Sequence, residues 1–233
     1  EAEYDESDSA RAVAQALGTQ HEEIRLDAQT FGTGLEDALG SLDQPTFDAI
    51  NTYFVSRAVR RAGITVALAG TGGDELFGGY RSFQDVPRAR LWACGLAPLP
   101  AGFVRGMAVA VSRTRTGKTG EMPSQTRWGK LEDALATRGS RAALYQVAYA
   151  LWTQKFLHEL AAPAVFQGTL YGLTRERFDF LDDLVRGVDP RAAVGALELE
   201  SFVGQRLLRD ADSASMAVSL EVRVPLLDAR VVE

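Results

Sequence analysis

Apolar positions in residues 1–62 recur mainly at helical intervals. Ala10, Val13, Ala14 and Leu17 share one face, Asp5 or Ser7 can cap the segment, and Gly18 can end it. Residues 30–42 predict a second helix. A third starts at Asp48, with Ile50, Phe54, Ala58 and Ala62 on one side and Gly63 as its stop. Between the first two, residues 21–26 alternate enough to predict a short strand. The clearest strand pattern is Ile64-Thr65-Val66-Ala67-Leu68-Ala69. It is apolar almost throughout and rich in β-branched residues, as expected of a central parallel strand covered by helices on both faces. Helix, strand, helix, helix, strand is an α/β order.

After Tyr80 the pattern becomes helical, over about 85–95, 100–112, 127–137, 140–152, 177–187 and 190–209. Ser140 can cap a helix whose Leu144, Val147, Ala148 and Leu151 share a face. Asp189-Pro190 opens another, with proline in the first turn, where its missing donor costs nothing. The basic stretch 113–122 is expected to be a loop. The expected organisation is therefore 1–80 as a partial α/β core and 81–233 as the helical part of the same domain.

Composition adds mainly exclusions. The 46% apolar content suits a globular chain, and its longest apolar stretches are too short to span a bilayer, so no membrane partner is expected. The acidic opening does not resemble a signal peptide. One cysteine, Cys94, forbids an intrachain disulfide and makes a reducing cytoplasm the default compartment. Its neighbours Trp92, Ala93 and Leu96 predict a core thiol. Twelve acids against two arginines in residues 1–48 leave 19 acids and 23 bases elsewhere, which is no nucleic-acid footprint. It is expected to be a solvated acidic face, so a triphosphate would find its positive partners beyond it. His21 and His158 have no partner at metal spacing.

The chemistry concentrates in residues 69–80, Ala-Gly-Thr-Gly-Gly-Asp-Glu-Leu-Phe-Gly-Gly-Tyr. Glycines directly after a parallel strand allow backbone amides to approach a phosphate, beyond the carboxyl end of the sheet. Asp74 and Glu75 stand where the chain turns, and a carboxylate beside phosphates suits Mg²⁺. A glycine-rich turn with an exposed Asp-Glu pair is the other reading composition leaves open. No Gly-Lys-Ser/Thr follows, so this is no Walker loop, and Gly78-Gly79 interrupts the helix a dinucleotide fingerprint needs.

The segment resembles the Ser-Gly-x-Gly-x-Asp-Glu-x-Phe-Gly-Gly-Tyr signature of the asparagine synthetase family. Asp212 to Asp228, with Ser215-Met216-Ala217 and Glu221-Val222-Arg223-Val224-Pro225-Leu226-Leu227-Asp228, resembles that family's second motif. Leu17-Gly18-Thr19-Gln20-His21-Glu22 and Asp43-Gln44-Pro45 are weaker matches. The resemblance implies a partial parallel sheet of a PP-loop ATPase (adenine-nucleotide α-hydrolase-like) fold followed by a helical subdomain. It implies ATP and Mg²⁺, a carboxylate that becomes an acyl-adenylate, and ammonia delivered by a separate glutaminase domain. On this resemblance Ala69, Gly70, Gly72 and Gly73 line the nucleotide site, and Asp74 holds the metal. Thr71, Glu75, Glu221 and Arg223 are the catalytic candidates. Glu221 and Arg223, two apart on an extended segment, face the same way, so they brace the site or form a purely structural ion pair.

This sequence departs from the pattern at Thr71, where the family usually has a glutamate, at Ser213, where it usually has a base, and at Ala69, where it usually has serine. Aspartate as substrate is thereby in doubt. No Ser-Gly-Gly-x-Asp-Ser pyrophosphate loop occurs, and the expected lysine would lie past Glu233. The sequence is expected to be an internal stretch of a longer ligase, inactive alone. A noncatalytic module that keeps the fold, or an amide-forming relative such as a β-lactam synthetase with another carboxylate, is the alternative.

Overall fold

The computed structural model describes residues 5–23, 25–42, 44–46, 48–116, 129–161 and 169–232. The chain forms two compact units: Glu1–Ala69 with Leu207–Arg223, and Gly70–Arg206 with Val224–Glu233. Residues 207–223, which carry a late strand, belong with the early residues in this division.

In the first unit α1 is Ser7–Leu17, closed by left-handed Gly18. The Asp27 carboxylate accepts from Thr30 N at 2.7 Å and caps α2, Ala28–Gly40. Helix α3 is Ala49–Arg61. Its Ala49, Tyr53 and Phe54 pack with Ala38 of α2 and with Ala214 of Leu208–Met216, numbered α12 below. Strand β1, Val66–Leu68, pairs in parallel with Glu221–Arg223, numbered β4, in the register Val66↔Glu221, Ala67↔Val222, Leu68↔Arg223.

Two strand expectations are corrected here. The strand at 64–69 is regular over only three residues, and its faces are not both covered: Val66 is 43% and Leu68 72% exposed. Side chains alternate along a strand, so these two share the open face while Ala67 turns to the other. The described residues at 21–26 form no strand. No neighbouring strand pairs with them among the described residues, and the segment is tied instead through Glu23, which pairs with Arg11 at 2.8 Å and Arg25 at 3.0 Å.

The second unit is almost wholly helical: α4 Gly73–Phe77, α5 Ser82–Leu96, α6 Ala101–Thr116, α7 Leu131–Ala136, α8 Arg141–Tyr149, α9 Gln154–Leu160, α10 Arg175–Leu184 and α11 Pro190–Leu197. Ser140 Oγ accepts from Ala143 N, and the Asp189 carboxylate from Arg191 N and Ala192 N, so both predicted caps are present. Tyr145 of α8, Leu181 of α10 and Leu197 of α11 anchor the main core. Arg141 donates to the carbonyls of Val185 and Val188 just after α10, placing a cation at the end of that helix. From Glu198 to Leu207 the chain continues as a π-helix and then enters α12.

Several helical expectations shift. Helix α8 ends at Tyr149, so Leu151 lies outside it, and both Ala148 and Leu151 are exposed. The buried face is instead Ala142, Ala143, Leu144, Tyr145 and Val147. Cys94 is exposed, not a core thiol, because α5 turns Val86 and Ala93, seven residues apart, inward. Residues 113–116 belong to α6, and 117–122, with the start of the helix expected at 127, lie outside the described residues. Helix α9, capped by Thr153, was not anticipated. Nor was a hairpin of β2, Thr169–Leu170, and β3, Leu173–Thr174. No helix among the described residues is long and apolar enough to cross a membrane.

Candidate active site

Strand β1 leads straight into the glycine segment. Ala69 N donates to Arg223 O at 2.8 Å and extends the parallel ladder by one bond. In the second unit the chain then folds back, with Gly73 N donating to Gly70 O at 3.0 Å. Gly72 has φ +99°, a conformation that disfavours any side chain. A Cβ there would also come within 2.5 Å of Leu227 Cδ2, and one on Gly73 within 3.4 Å of Leu226 Cδ1. The Pro225-Leu226-Leu227 turn thus presses on Gly72 and Gly73, bringing together two motifs far apart in sequence.

Helix α4 separates its two carboxylates. Asp74 is exposed and lies against the α-carbon of Gly79, where any added Cβ would collide with the carboxylate. Gly79 N donates to Asp74 O at 2.8 Å and closes the turn. Asp74 takes part in no ion pair among the described residues. Glu75, one residue on, is 2% exposed and accepts a 2.9 Å hydrogen bond from Tyr80 Oη. Burial, that bond and the nearby carboxylates push the Tyr80 phenol well above its usual range. Thr71 is half-buried and Gly70 exposed.

Glu221 and Arg223 do pair, Nε to Oε1, at 2.7 Å, from the same face of β4. They are 53% and 64% exposed, and such a pair contributes at most about 1 kcal/mol. They and Ala69 belong to the first unit, whereas Gly70, Thr71, Gly72, Gly73, Asp74 and Glu75 belong to the second.

Sequence reasoning missed a clamp on the Gln44-Pro45 turn. Buried Asp210 accepts from Thr46 Oγ1 at 2.8 Å and Asp48 N at 3.0 Å, and Arg209 donates to Asp210 at 2.9 Å and to Pro45 O at 3.1 Å. The signal was present: Asp210 falls four and eight residues before Ala214 and Val218, an acid on an apolar helix face. Burial raises the Asp48 carboxyl, and the charge of Asp210 adds to the effect.

Among the described residues no three His, Cys, Asp or Glu side chains form a group that could hold a metal ion. A Mg²⁺ bound mainly by phosphate and water needs one or two carboxylates, and an open, cation-free Asp74 beside glycines fits that demand. A cavity of about 750 Å³ between α5, α6, α7 and α8 is lined chiefly by apolar groups such as Trp92, Met107 and Leu131. Arg81, Arg88 and Lys130 also line it, and Lys130 donates to Ala148 O at 2.9 Å.

The chain is 29% identical over 236 residues to a Mycobacterium bovis protein named for glutamine-hydrolyzing asparagine synthetase, covering 98% of this chain and 32% of that one. It is 24% identical over 238 residues to amidase chyE of Penicillium rubens, covering 98% and 34%. Asparagine synthetase B of Escherichia coli is 34% identical over 86 residues, 35% of this chain and 16% of that protein. The chain therefore spans about a third of the length of the first two relatives. No solved structure matches it. The asparagine synthase family model matches residues 1–233, which takes in both the glycine turn and the returning β4: the chain belongs to the asparagine synthase family.

Proposed function

We propose that this chain is the nucleotide-handling part of a glutamine- and ATP-dependent amide-forming ligase, on a PP-loop ATPase type of fold. The observation that carries the reading is the exposed Asp74 on a glycine-held turn directly after a parallel strand. In the reaction proposed, a substrate carboxylate oxygen attacks the α-phosphorus of ATP and pyrophosphate leaves. Ammonia then attacks the acyl carbon, AMP leaves with the electron pair of the broken C–O bond, and a proton is lost from the attacking nitrogen. Mg²⁺, held by Asp74, would neutralise the pyrophosphate. The chain's own contribution is positional. Gly70, Gly72 and Gly73, with Ala69, allow close approach of the phosphates, and buried Glu75 braces the turn. Glu221 and Arg223 keep the end of β4 extended as an ion pair.

Thr71 favours a narrower version. A neutral hydroxyl is not an effective proton acceptor near pH 7, so the family's glutamate function is missing at this position. We infer that the preferred acid is a carboxylate other than free aspartate, which either brings its own proton acceptor or leaves room for another group. The relatives' names, an asparagine synthetase and an amidase, are compatible with that breadth. The test is a carboxylate screen with the complete protein, glutamine, ATP and Mg²⁺, following AMP release. Turnover of a non-aspartate acid, with Thr71→Glu raising asparagine formation from background, is the expected result. Efficient asparagine synthesis with Thr71 intact would refute the narrower version, and no AMP release with any acid would count against the whole reading.

A further inference from the structure

Glu198 is completely buried, at the point where α11 passes into the π-helix. Its carboxylate accepts from Ser82 Oγ at 2.6 Å, from Tyr145 Oη at 2.9 Å, and from Tyr149 Oη at 2.7 and 2.9 Å. No cation among the described residues pairs with it. Burying an unpaired carboxylate is costly, and a well-packed apolar residue would cost less. Long π-helical runs are rare, and short π segments collect at functional sites.

The contacts continue from Glu198 to the glycine turn. The Tyr149 ring lies 5.3 Å from that of Phe202, and Phe202 meets Tyr80 edge-on at 5.8 Å. Tyr80 Oη then donates to Glu75. Each link belongs to the second unit. Burial raises the Glu198 carboxyl, against the hydroxyls that donate to it.

We propose that Glu198 is a positioning residue for the glycine turn: acting through Tyr149, Phe202 and Tyr80 it fixes Glu75, and with it the helix that turns Asp74 to solvent. The importance of Asp74 rests on the reading above, whereas the brace itself does not. Glutamine at 198 keeps the shape but offers N–H donors where three hydroxyls also donate, so at least one contact must reverse or break. The experiment is hydrogen exchange at Gly73, Leu76 and Gly79, whose amides are bonded within the turn, in the full chain. Glu198→Gln and Tyr80→Phe are each expected to speed that exchange at least tenfold, with α3 unchanged. The double variant should be no faster than the faster single one, because both cut the same path. Should Glu198→Gln fail to fold, Tyr149→Phe, which keeps its ring on Phe202 but loses its donor, is read the same way. Unchanged exchange at the turn, additive effects, or equal loosening throughout the second unit would overturn the proposal. Absence of adenylation would remove the function proposed above and leave this result standing.

Discussion

Asp74 and Glu75 are neighbours with opposite surroundings, and crossed consequences follow. Asp74→Asn keeps shape and removes charge, so in the complete protein it should lower adenylation by about 100-fold or more, with little change in Tm. An unchanged rate with unchanged Mg²⁺ dependence would exclude Asp74 as the metal ligand. Glu75→Gln should instead destabilise the second unit by about 1–3 kcal/mol, since a buried acceptor site is disturbed, and denaturant titration would read it. Asp48 gives a pH test. Its folded carboxyl is raised by burial and by Asp210, so folding favours the proton and stability falls as pH rises through the raised value. Asp48→Asn should therefore raise Tm near pH 7, and the gain should vanish as pH falls through the unfolded value of about 3.9. A gain that persists at pH 3 would mean the charge is not the cause.

At the scale of elements, α4 depends on what precedes and faces it. Gly72 supplies a left-handed φ and leaves room for Leu227. Gly72→Ala is expected to cost about 1–3 kcal/mol from backbone strain, plus the forced shift of Leu227. Leu227→Ala in the same protein should recover part of that cost, and failure to recover any would show that strain alone decides the site. The legibility of elements follows the same logic. Helix starts with side-chain caps, such as those at Ser140 and Asp189, could be read from local sequence, whereas the Asp27 cap and the buried face of α8 could not. The β2–β3 hairpin could not, because its turn uses Tyr171 and Gly172, both at positive φ, where Asn-Gly would have been the usual sign. The strand at 64–69 was legible in type and parallel direction but not in extent or burial, which depend on neighbours rather than on its own residues. Glu198 was invisible as a site residue. It follows a helical pattern without a break, and only the fold gathers Ser82, Tyr145 and Tyr149 around it.

For the whole molecule, the deciding feature is that the first unit is not contiguous. The core of residues 1–69, built on Ala38, Ala49, Tyr53 and Phe54, is completed by α12, which contributes Ala214 and is joined by Val218. Residues 1–69 by themselves also lack the acceptor Asp210, which holds Thr46 and Asp48, and the strand that pairs with β1. Parallel pairing of residues 66–68 with 221–223 cannot form until nearly all the chain is present, a long-range closure that slows folding. The second unit has its own apolar clusters around Tyr145, Val86 and Ala93. Ending the chain at Arg206 should therefore unfold one unit and spare most of the other. Amides of α2 and α3 are expected to lose protection in hydrogen exchange, while those of α8, α10 and α11 keep it. The glycine turn should loosen as well, because Leu226 and Leu227 are removed. If α3 remains protected in the shortened chain, residues 1–69 hold a core of their own, and the returning helix and strand serve the site rather than the fold.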